Sequence, residues 1–156
     1  MSKKRHLLSY LAGVFDGEGC VLISKQASRR ENWSTEYRVV LRVSMSDGVV
    51  PLLFQNVFGG GLNKRYHNRK HSHWKMQYCW EITGHKCLTI MKELLPYSLI
   101  KRPQLEVCIH FLESTSHGGK GPHMLTDKEL ALREADYILV KNLKKQPISP
   151  VFKGGG

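Results

Sequence analysis

The sequence has few acidic residues for its length and no long apolar segment. Its 156 residues include 13 aspartates and glutamates against 24 lysines and arginines, which gives a net charge of +11 at pH 7. No apolar run reaches the roughly 20 residues of a membrane-spanning helix, and we see no long basic amphipathic helix of the membrane-surface type. We therefore expect no membrane partner, whereas the excess positive charge indicates a polyanion whose charges it would neutralise.

Cysteine is also sparse, and its spacing disfavours a metal or disulfide framework. Cys20, Cys79, Cys87 and Cys108 include no C-x-x-C pair. This spacing predicts free, mostly buried thiols and an intracellular, reducing compartment. The three histidines within residues 67–73 lack cysteines or carboxylates at ligand spacing, so we interpret them as part of a basic hairpin turn rather than as a zinc site.

Hydrophobic periodicity predicts a single domain over residues 1–145, followed by a flexible tail at 146–156. Alternating apolar residues mark strands, whereas apolar residues three and four apart mark helices. Pro51 is tolerated only in a first turn, which places one helix start near Gly48, and a T-x-x-E pattern at Thr126 predicts a capping box. The predicted order is helix 7–15, strands 20–26 and 37–45, helix 48–58, strands 62–67 and 73–82, and helices 85–95, 103–113 and 126–144.

The segment from Leu11 to Gly19 carries the most specific pattern in the chain. Ala12 and Gly13 lie at the centre of an apolar stretch, and such small residues allow another backbone to approach closely. Two carboxylates separated by glycines follow at once, where the partial negative charge of a helix C-terminus favours a bound cation. The pattern therefore predicts a helix–helix contact that ends in a metal site.

This nonapeptide resembles the motif of the LAGLIDADG homing endonucleases. Five of its nine residues match that motif letter for letter, and Glu18 takes the place of its last aspartate. The resemblance extends to the element order over residues 7–113 and to the segment 94–104, where Lys101 matches a lysine that recurs beside the active site. Because only one motif is present, the resemblance implies a homodimer with the two motif helices at its two-fold axis. The expected interface residues are Leu8, Leu11, Ala12, Gly13, Phe15 and Asp16.

The resemblance also implies a fold and an activity. The fold is α+β, of the order αββαββα with C-terminal helices and a saddle-shaped antiparallel sheet that lies in the DNA major groove. The activity is that of a sequence-specific double-strand DNA endonuclease that hydrolyses phosphodiesters at a long pseudo-palindromic site in intron homing, in a bacterial or phage cytoplasm or in an organelle. The expected cofactor is Mg²⁺, a hard cation that prefers carboxylate and phosphate oxygens, with Mn²⁺ or Ca²⁺ able to substitute in binding.

Three residues near the motif receive roles in this chemistry. Glu18 is expected to be catalytic and to hold the metal ion, together with the backbone carbonyl of Gly17. Lys101 is the second predicted catalytic residue, which stabilises charge or positions water. Asp16 is expected to be structural, capping the helix end or hydrogen-bonding there, and a metal role stays open as an alternative.

DNA-binding residues are predicted mainly on the sheet face that the helices leave uncovered. Arginine and glutamine pair bidentately with the edges of guanine and adenine, so this face is expected to read bases, and basic loop residues are expected to contact phosphate. Alternation leaves open whether Lys64 or Arg65 faces the groove. The predicted DNA-binding residues are Ser24, Gln26, Arg29, Arg30, Arg38, Arg42, Lys64, Arg65, Arg69, Lys70, Lys75 and Gln77.

The chain departs from the family pattern at Met45, where a glutamine often ends the second strand. A methionine hydrogen-bonds a nucleophilic water poorly. Either Ser44 or Ser46 takes this place, or the pocket is organised differently, or the enzyme is weakened. Two other functions stay open on the same fold. One is an RNA maturase that binds intron RNA through shape and phosphate contacts, and the other is a catalytically inactive DNA-binding regulator.

Overall fold

The computed structural model describes residues 2–31, 33–65, 76–115 and 125–145. These residues form five α-helices and a four-stranded sheet, and their order confirms the predicted αββαββα arrangement followed by two helices. In chain order the elements are α1 (Lys3–Glu18), β1 (Gly19–Gln26), β2 (Glu36–Met45), α2 (Val49–Phe58), β3 (Gly61–Arg65), β4 (Gln77–Thr83), α3 (Cys87–Leu94), α4 (Arg102–Ser114) and α5 (Asp127–Leu143).

Helix α1 is longer than the apolar pattern predicted. It begins at Lys3 because the side chain of Ser2 accepts a hydrogen bond from the backbone of Arg5 and caps the helix. It also continues past Phe15 to Glu18, so that the motif carboxylates belong to its last turn. The predicted range of 7–15 was therefore too short at both ends.

The four strands form an antiparallel sheet in the order β1-β2-β4-β3. Gly19 of β1 pairs with Val43 of β2, which in turn pairs with Trp80 of β4, and Trp80 pairs with Leu62 of β3. The first residue of β1 therefore lies in the same row as the C-terminal part of β2 and the middle of β4. This register decides which side chains share a face with the end of α1.

One face of the sheet is covered by helices and holds the core. Trp80 of β4 and Phe54 of α2 are fully buried, with ring centroids 5.0 Å apart. Phe15 of α1 is also buried, 6.5 Å from Phe54. Burial of one such side chain stabilises the fold by about 2–3 kcal/mol, so this cluster fixes α1 and α2 on the sheet.

The four cysteines are free, as their spacing predicted. Cys20 is partly exposed, and the other three are buried. Burial raises the pKa of the Cys87 and Cys108 thiols to about 12. These two thiols stay protonated at neutral pH and are poor nucleophiles.

Helix α5 is fastened to β1 and β2 by a cluster of polar side chains. The Tyr37 hydroxyl donates a short hydrogen bond to the carboxylate of Glu134, and the Lys25 ammonium lies 2.7 Å from the same group. The bonds from Lys25 and Tyr37 hold the pKa of Glu134 below its ordinary value. The predicted capping box between Thr126 and Glu129 is confirmed at the start of the helix.

Some predictions concern residues outside the described ranges. They include the contacts of Arg69, Lys70 and Lys75, the histidine-containing hairpin turn, and the tail at 146–156. The boundary of the domain at residue 145 likewise stays a prediction. No helix within the described ranges is long and apolar enough to cross a bilayer.

Two glycines after α2 adopt a backbone conformation that other residues rarely take. Gly59 has a φ of 76° and Gly60 a φ of 90°. A Cβ on Gly60 would lie 2.7 Å from the carbonyl oxygen of Glu81, whereas a Cβ on Gly59 would meet no atom within 4 Å. Gly60 is therefore required for its conformation and for the space beside β4, and Gly59 only for its conformation.

This difference predicts unequal costs for two alanine substitutions. Gly60→Ala should lower the free energy of unfolding by about 2–4 kcal/mol, since strain and overpacking add. Gly59→Ala is the matched control and should cost about 1–2 kcal/mol. Urea unfolding followed by circular dichroism measures both. Equal losses would show that the close approach of Gly60 to β4 does not matter.

Candidate functional site

The site is organised around the junction between α1 and β1. Glu18 ends α1 and is exposed, and Gly19 begins β1 without an intervening loop. A Cβ on Gly19 would lie 2.5 Å from the carbonyl oxygen of Phe15, so the strand can leave the helix this closely only with glycine here. The Glu18 carboxylate is thereby held in solvent at the helix C-terminus, where the dipole adds partial negative charge.

Asp16 ties this junction to the segment before α4. Its buried carboxylate accepts hydrogen bonds from the backbone N–H groups of Leu99 at 2.7 Å, Ile100 at 3.3 Å and Lys101 at 3.1 Å. Hydrogen bonds to an ionised acceptor are stronger than neutral ones. Asp16 thus makes the structural hydrogen bonds expected of it, and they reach to the start of another helix.

The side chain of Lys101 also contacts the C-terminal end of α1. Its ammonium donates a hydrogen bond of 2.7 Å to the backbone carbonyl of Asp16. Partial burial lowers the pKa of Lys101, and the negative charges of Asp16 and Glu18 oppose this shift. The structure therefore brings Glu18 and Lys101, the two residues predicted to be catalytic, to one place.

A second lysine, which was not predicted from the sequence, lies near the junction of α1 and β1. The ammonium of Lys144, which follows α5, lies 3.2 Å from Sγ of Cys20 in β1. Its charge also lowers the pKa of Lys101. The available signal was the pair Lys144–Lys145 after a capped helix, but the destination of that pair depends on how α5 packs along the sheet.

Many of the predicted DNA-binding residues lie together on the sheet face away from the helices, which we call the open face. The register pairs Ser24 with Arg38 across β1 and β2. At the opposite edge of the sheet, Arg65 of β3 pairs with Gln77 of β4. The alternation along each strand then defines the face. Its members include Ser24, Gln26, Arg38, Arg42, Arg65, Gln77 and Glu81.

The register also resolves the choice between Lys64 and Arg65. The Arg65 guanidinium lies on the open face, 3.5 Å from the Glu81 carboxylate. Lys64 pairs with Tyr78, and its ammonium lies 5.7 Å from the centroid of that ring. Lys64 therefore belongs to the side that carries the helices, at the edge of the sheet.

The loop between β1 and β2 presents basic residues to solvent. Arg29 and Arg30 are both exposed. The Arg30 guanidinium lies over the ring of Trp33, 4.6 Å from its centroid. Basic side chains beside an aromatic ring are typical of surfaces that contact nucleic acid.

Most of the residues predicted for the interface on α1 are already buried within the protomer, and the interface itself stays a prediction. Only Gly13 among the six is exposed. The physical reason is the 3.6-residue period of the helix, which turns its apolar side chains toward the sheet. The five residues that lie in the interior, each at most 8% exposed, are Leu8, Leu11, Ala12, Phe15 and Asp16.

A different stripe of α1 faces solvent. Its members follow each other at intervals of four, three and four residues, which places them on one side of the helix. An added Cβ at either of its two glycines would meet no atom within 4 Å. The exposed stripe consists of His6, Tyr10, Gly13 and Gly17.

Met45 does not occupy the open face. Its side chain packs against the core, and the residue pairs with Tyr78. Ser44 lies on the open face and pairs with Cys79. Ser46 follows the strand and is exposed. Of the two serines considered as substitutes, Ser44 therefore has the orientation of the open face.

The oxygen donors of one chain are few at this site. Among the described residues, no three side chains of His, Cys, Asp or Glu converge in a way that could hold a metal ion. The Asp16 carboxylate already accepts three backbone hydrogen bonds. Glu18 and the carbonyl of Gly17 are the two donors predicted for a metal ion.

Comparisons with known proteins identify relatives of this arrangement. The family model described as LAGLIDADG endonuclease matches residues 11–105. The homing endonuclease I-CvuI, solved in complex with its target in the presence of Ca, superposes with a TM-score of 0.65 and 18% identity over 91% of this chain and 92% of that one. The homing endonuclease I-TnaI superposes with a TM-score of 0.67 and 18% identity, over 88% of this chain and 93% of that one.

A more distant likeness covers a similar share of the chain. The archaeal intron-encoded homing endonuclease I-Vdi141I, complexed with DNA, gives a TM-score of 0.65 and 10% identity over 92% of this chain and 100% of that one. No curated protein sequence matches the chain. At these identities the solved structures establish the fold.

Asp16→Asn should loosen the link between α1 and α4. An amide offers one oxygen to three backbone donors, so we expect the free energy of unfolding to fall by about 1–3 kcal/mol. Asp47→Asn is the control, because Asp47 accepts one exposed hydrogen bond from Val49, and it should change stability by less than about 0.5 kcal/mol. Equal effects in urea unfolding would show that the Asp16 bonds do not carry the link.

Proposed function

This chain belongs to the LAGLIDADG endonuclease family, and from that premise we propose that it is a homodimeric, sequence-specific DNA endonuclease dependent on a divalent metal ion. The observation that carries the proposal is the exposed carboxylate of Glu18 beside Lys101, next to a sheet whose open face bears several arginines. Each protomer would cut one strand of a long pseudo-palindromic site.

The exposed stripe of α1 supports the homodimer. Gly13 and Gly17 leave room for a partner helix to approach the backbone closely. Next to the end of α1, the side chains of Leu99 and Ile100 are 83% and 48% exposed, and such apolar groups gain from burial against a partner. Two copies related by a two-fold axis along this stripe would bring one Glu18 from each chain together.

Mg²⁺ fits the donors of such a dimer. Mg²⁺ is commonly bound through one or two carboxylates, with waters and substrate phosphates completing its octahedron. Glu18 and the carbonyl of Gly17 from each chain match this requirement, and Mn²⁺ or Ca²⁺ would use the same oxygen donors. The bound ion would activate water and neutralise charge on the phosphate oxygens. The presence of Ca in the complex of I-CvuI with its target supports a divalent ion in this class of site.

The two lysines would act as fixed positive charges beside the scissile phosphate. The Lys101 ammonium is held by the carbonyl of Asp16, so its position is set before DNA arrives. Preorganised charge of this kind stabilises the extra negative charge of a phosphoryl transition state. Lys144 adds a second charge near Cys20. Ser44, on the open face, is the side chain we propose for hydrogen bonding to water where the family often has glutamine.

Glu18→Gln should abolish cleavage and largely spare binding. The amide keeps the shape of the side chain but removes the charge that the metal ion requires, so we expect the cleavage rate to fall by about 10³-fold or more. Binding rests on the sheet, so the Kd should change by less than about tenfold. Plasmid cleavage in Mg²⁺ and fluorescence anisotropy in Ca²⁺ separate the two effects.

Glu113→Gln controls for the change in charge. Glu113 lies on α4 and pairs with Lys92 of α3 over 2.6 Å, on the helical side of the protein. This variant should cut DNA at the wild-type rate. Cleavage by Glu18→Gln at a comparable rate would contradict the metal assignment.

Gly13→Leu should convert the dimer to a monomer. The leucine side chain would occupy the space into which the partner helix packs, and overpacking of this kind costs about 1–3 kcal/mol per site. Sedimentation velocity measures the effect, with Ala131→Leu on the exposed side of α5 as the control for added apolar surface. If Gly13→Leu sediments as a dimer, the partner does not lie on this stripe.

A further inference from the structure

An acidic side chain lies in the middle of the open face, where contact with polyanionic DNA is proposed. Glu81 is on the central strand β4, directly opposite Arg42 of β2 and Gly61 of β3. A carboxylate at this position repels the phosphate backbone. Its presence among arginines therefore calls for a role other than general affinity.

Glu81 binds two arginines through a single oxygen. Its Oε2 accepts hydrogen bonds from Nε of Arg42 at 2.7 Å and from Nη2 of Arg65 at 3.5 Å. Nη2 of Arg42 also lies 2.6 Å from the same oxygen. Partial burial lowers the pKa of Arg42, but the hydrogen bonds to Glu81 and its negative charge raise it by more, so the net shift is upward. The geometry holds the Arg42 guanidinium in one orientation before any DNA is bound.

This orientation selects the part of Arg42 that can meet a base. The Nε–Nη2 edge of the guanidinium faces Glu81, so the Nη1–Nη2 end is the edge directed away from the carboxylate. Two N–H groups at that end match the O6 and N7 acceptors of guanine. A long side chain that is already ordered also loses less rotamer freedom on binding.

A comparison within the same face distinguishes this pair from an ordinary surface ion pair. Arg38 binds Glu36 at 2.6 Å, but these residues are two apart on one strand, and the Arg38 side chain is 57% exposed. The Arg42 and Glu81 side chains are 32% and 27% exposed and link two central strands. Solvent and salt screen the first pair more than the second.

We propose that Glu81 is a specificity-determining residue of DNA recognition, which holds Arg42 for the reading of one guanine in each half-site. Its charge also cancels part of the positive charge of Arg42 and Arg65, which would otherwise attract any phosphate backbone. Specificity is a difference between two affinities, so weakening the general attraction raises it as surely as strengthening the specific contact. The inference rests on the proposed function, because it requires the open face to bind DNA.

The experiment compares base preferences at every position of the site. A binding site is first selected from a randomised duplex library with the wild-type protein in Ca²⁺. The Kd is then measured for this site and its single-base variants with wild type, Glu81→Gln, Glu81→Asp and the control Glu113→Gln. Urea unfolding establishes that each variant is folded, and Glu81→Asp retains the charge if the amide proves unstable.

The expected result is a local loss of discrimination. With Glu81→Gln, preference for guanine should fall by about tenfold at one pair of symmetry-related positions and stay unchanged elsewhere. Affinity for unrelated DNA should rise, and the slope of log Kd against log salt concentration should steepen by up to about two, since a homodimer loses two carboxylates. Glu81→Asp should recover much of the preference, and Glu113→Gln should match wild type.

Two results would overturn the inference while leaving the proposed function standing. One is an unchanged base profile in Glu81→Gln. The other is a uniform loss of affinity at all positions, which a purely structural role of Glu81 would produce. If the wild-type protein selects no site at all, the proposed function itself fails, and the two failures are thereby distinguished.

Discussion

The bonds that Asp16 makes to the segment before α4 are the constraint on which the candidate site depends. Its carboxylate accepts three backbone N–H groups, and its own carbonyl accepts the ammonium of Lys101. Helix α1 and helix α4 are thus joined at the point where β1 begins. Asp16 and Glu18 are two residues apart and therefore point to different sides of the helix, so that the first is buried and the second is exposed. One fixes the junction, and the other is available for chemistry.

The second feature of the candidate site is the arrangement of charged side chains on the open face of the sheet. The open face is basic but not uniformly so, since Glu36 and Glu81 pair with arginines that would read DNA. A wholly basic face would bind any duplex through phosphate contacts and discriminate poorly. Arginines held by carboxylates are ordered before binding and carry less unbalanced charge. Under the proposed function, the same sheet would combine attraction for DNA with a means of selecting sequence.

Features that depend on residues close together in the sequence could be predicted, whereas features that depend on tertiary packing could not. The order of the strands and the Thr126 capping box were predicted because alternation and a capping motif are local features, whereas the Ser2 cap of α1 was not predicted. Glu18 was proposed as catalytic from the motif, and Lys101 only from the family resemblance; the structure places them close together. The interface on α1 stays a prediction, and the sequence did not show that apolar residues such as Phe15 would also be buried in the core of the protomer. Lys144 was missed because its position depends on the packing of α5, which no local pattern encodes.

The most direct test of the account is selection of cleaved sites from a randomised DNA library, with Mg²⁺ and Ca²⁺ in parallel. A homodimer with one Glu18 per protomer predicts recovery of a single pseudo-palindromic sequence that is cut in Mg²⁺ and only bound in Ca²⁺. Its two half-sites should be related by the same two-fold axis as the protein. Enrichment of bound sequences without cleavage in either ion would contradict the account and would favour a DNA-binding regulator.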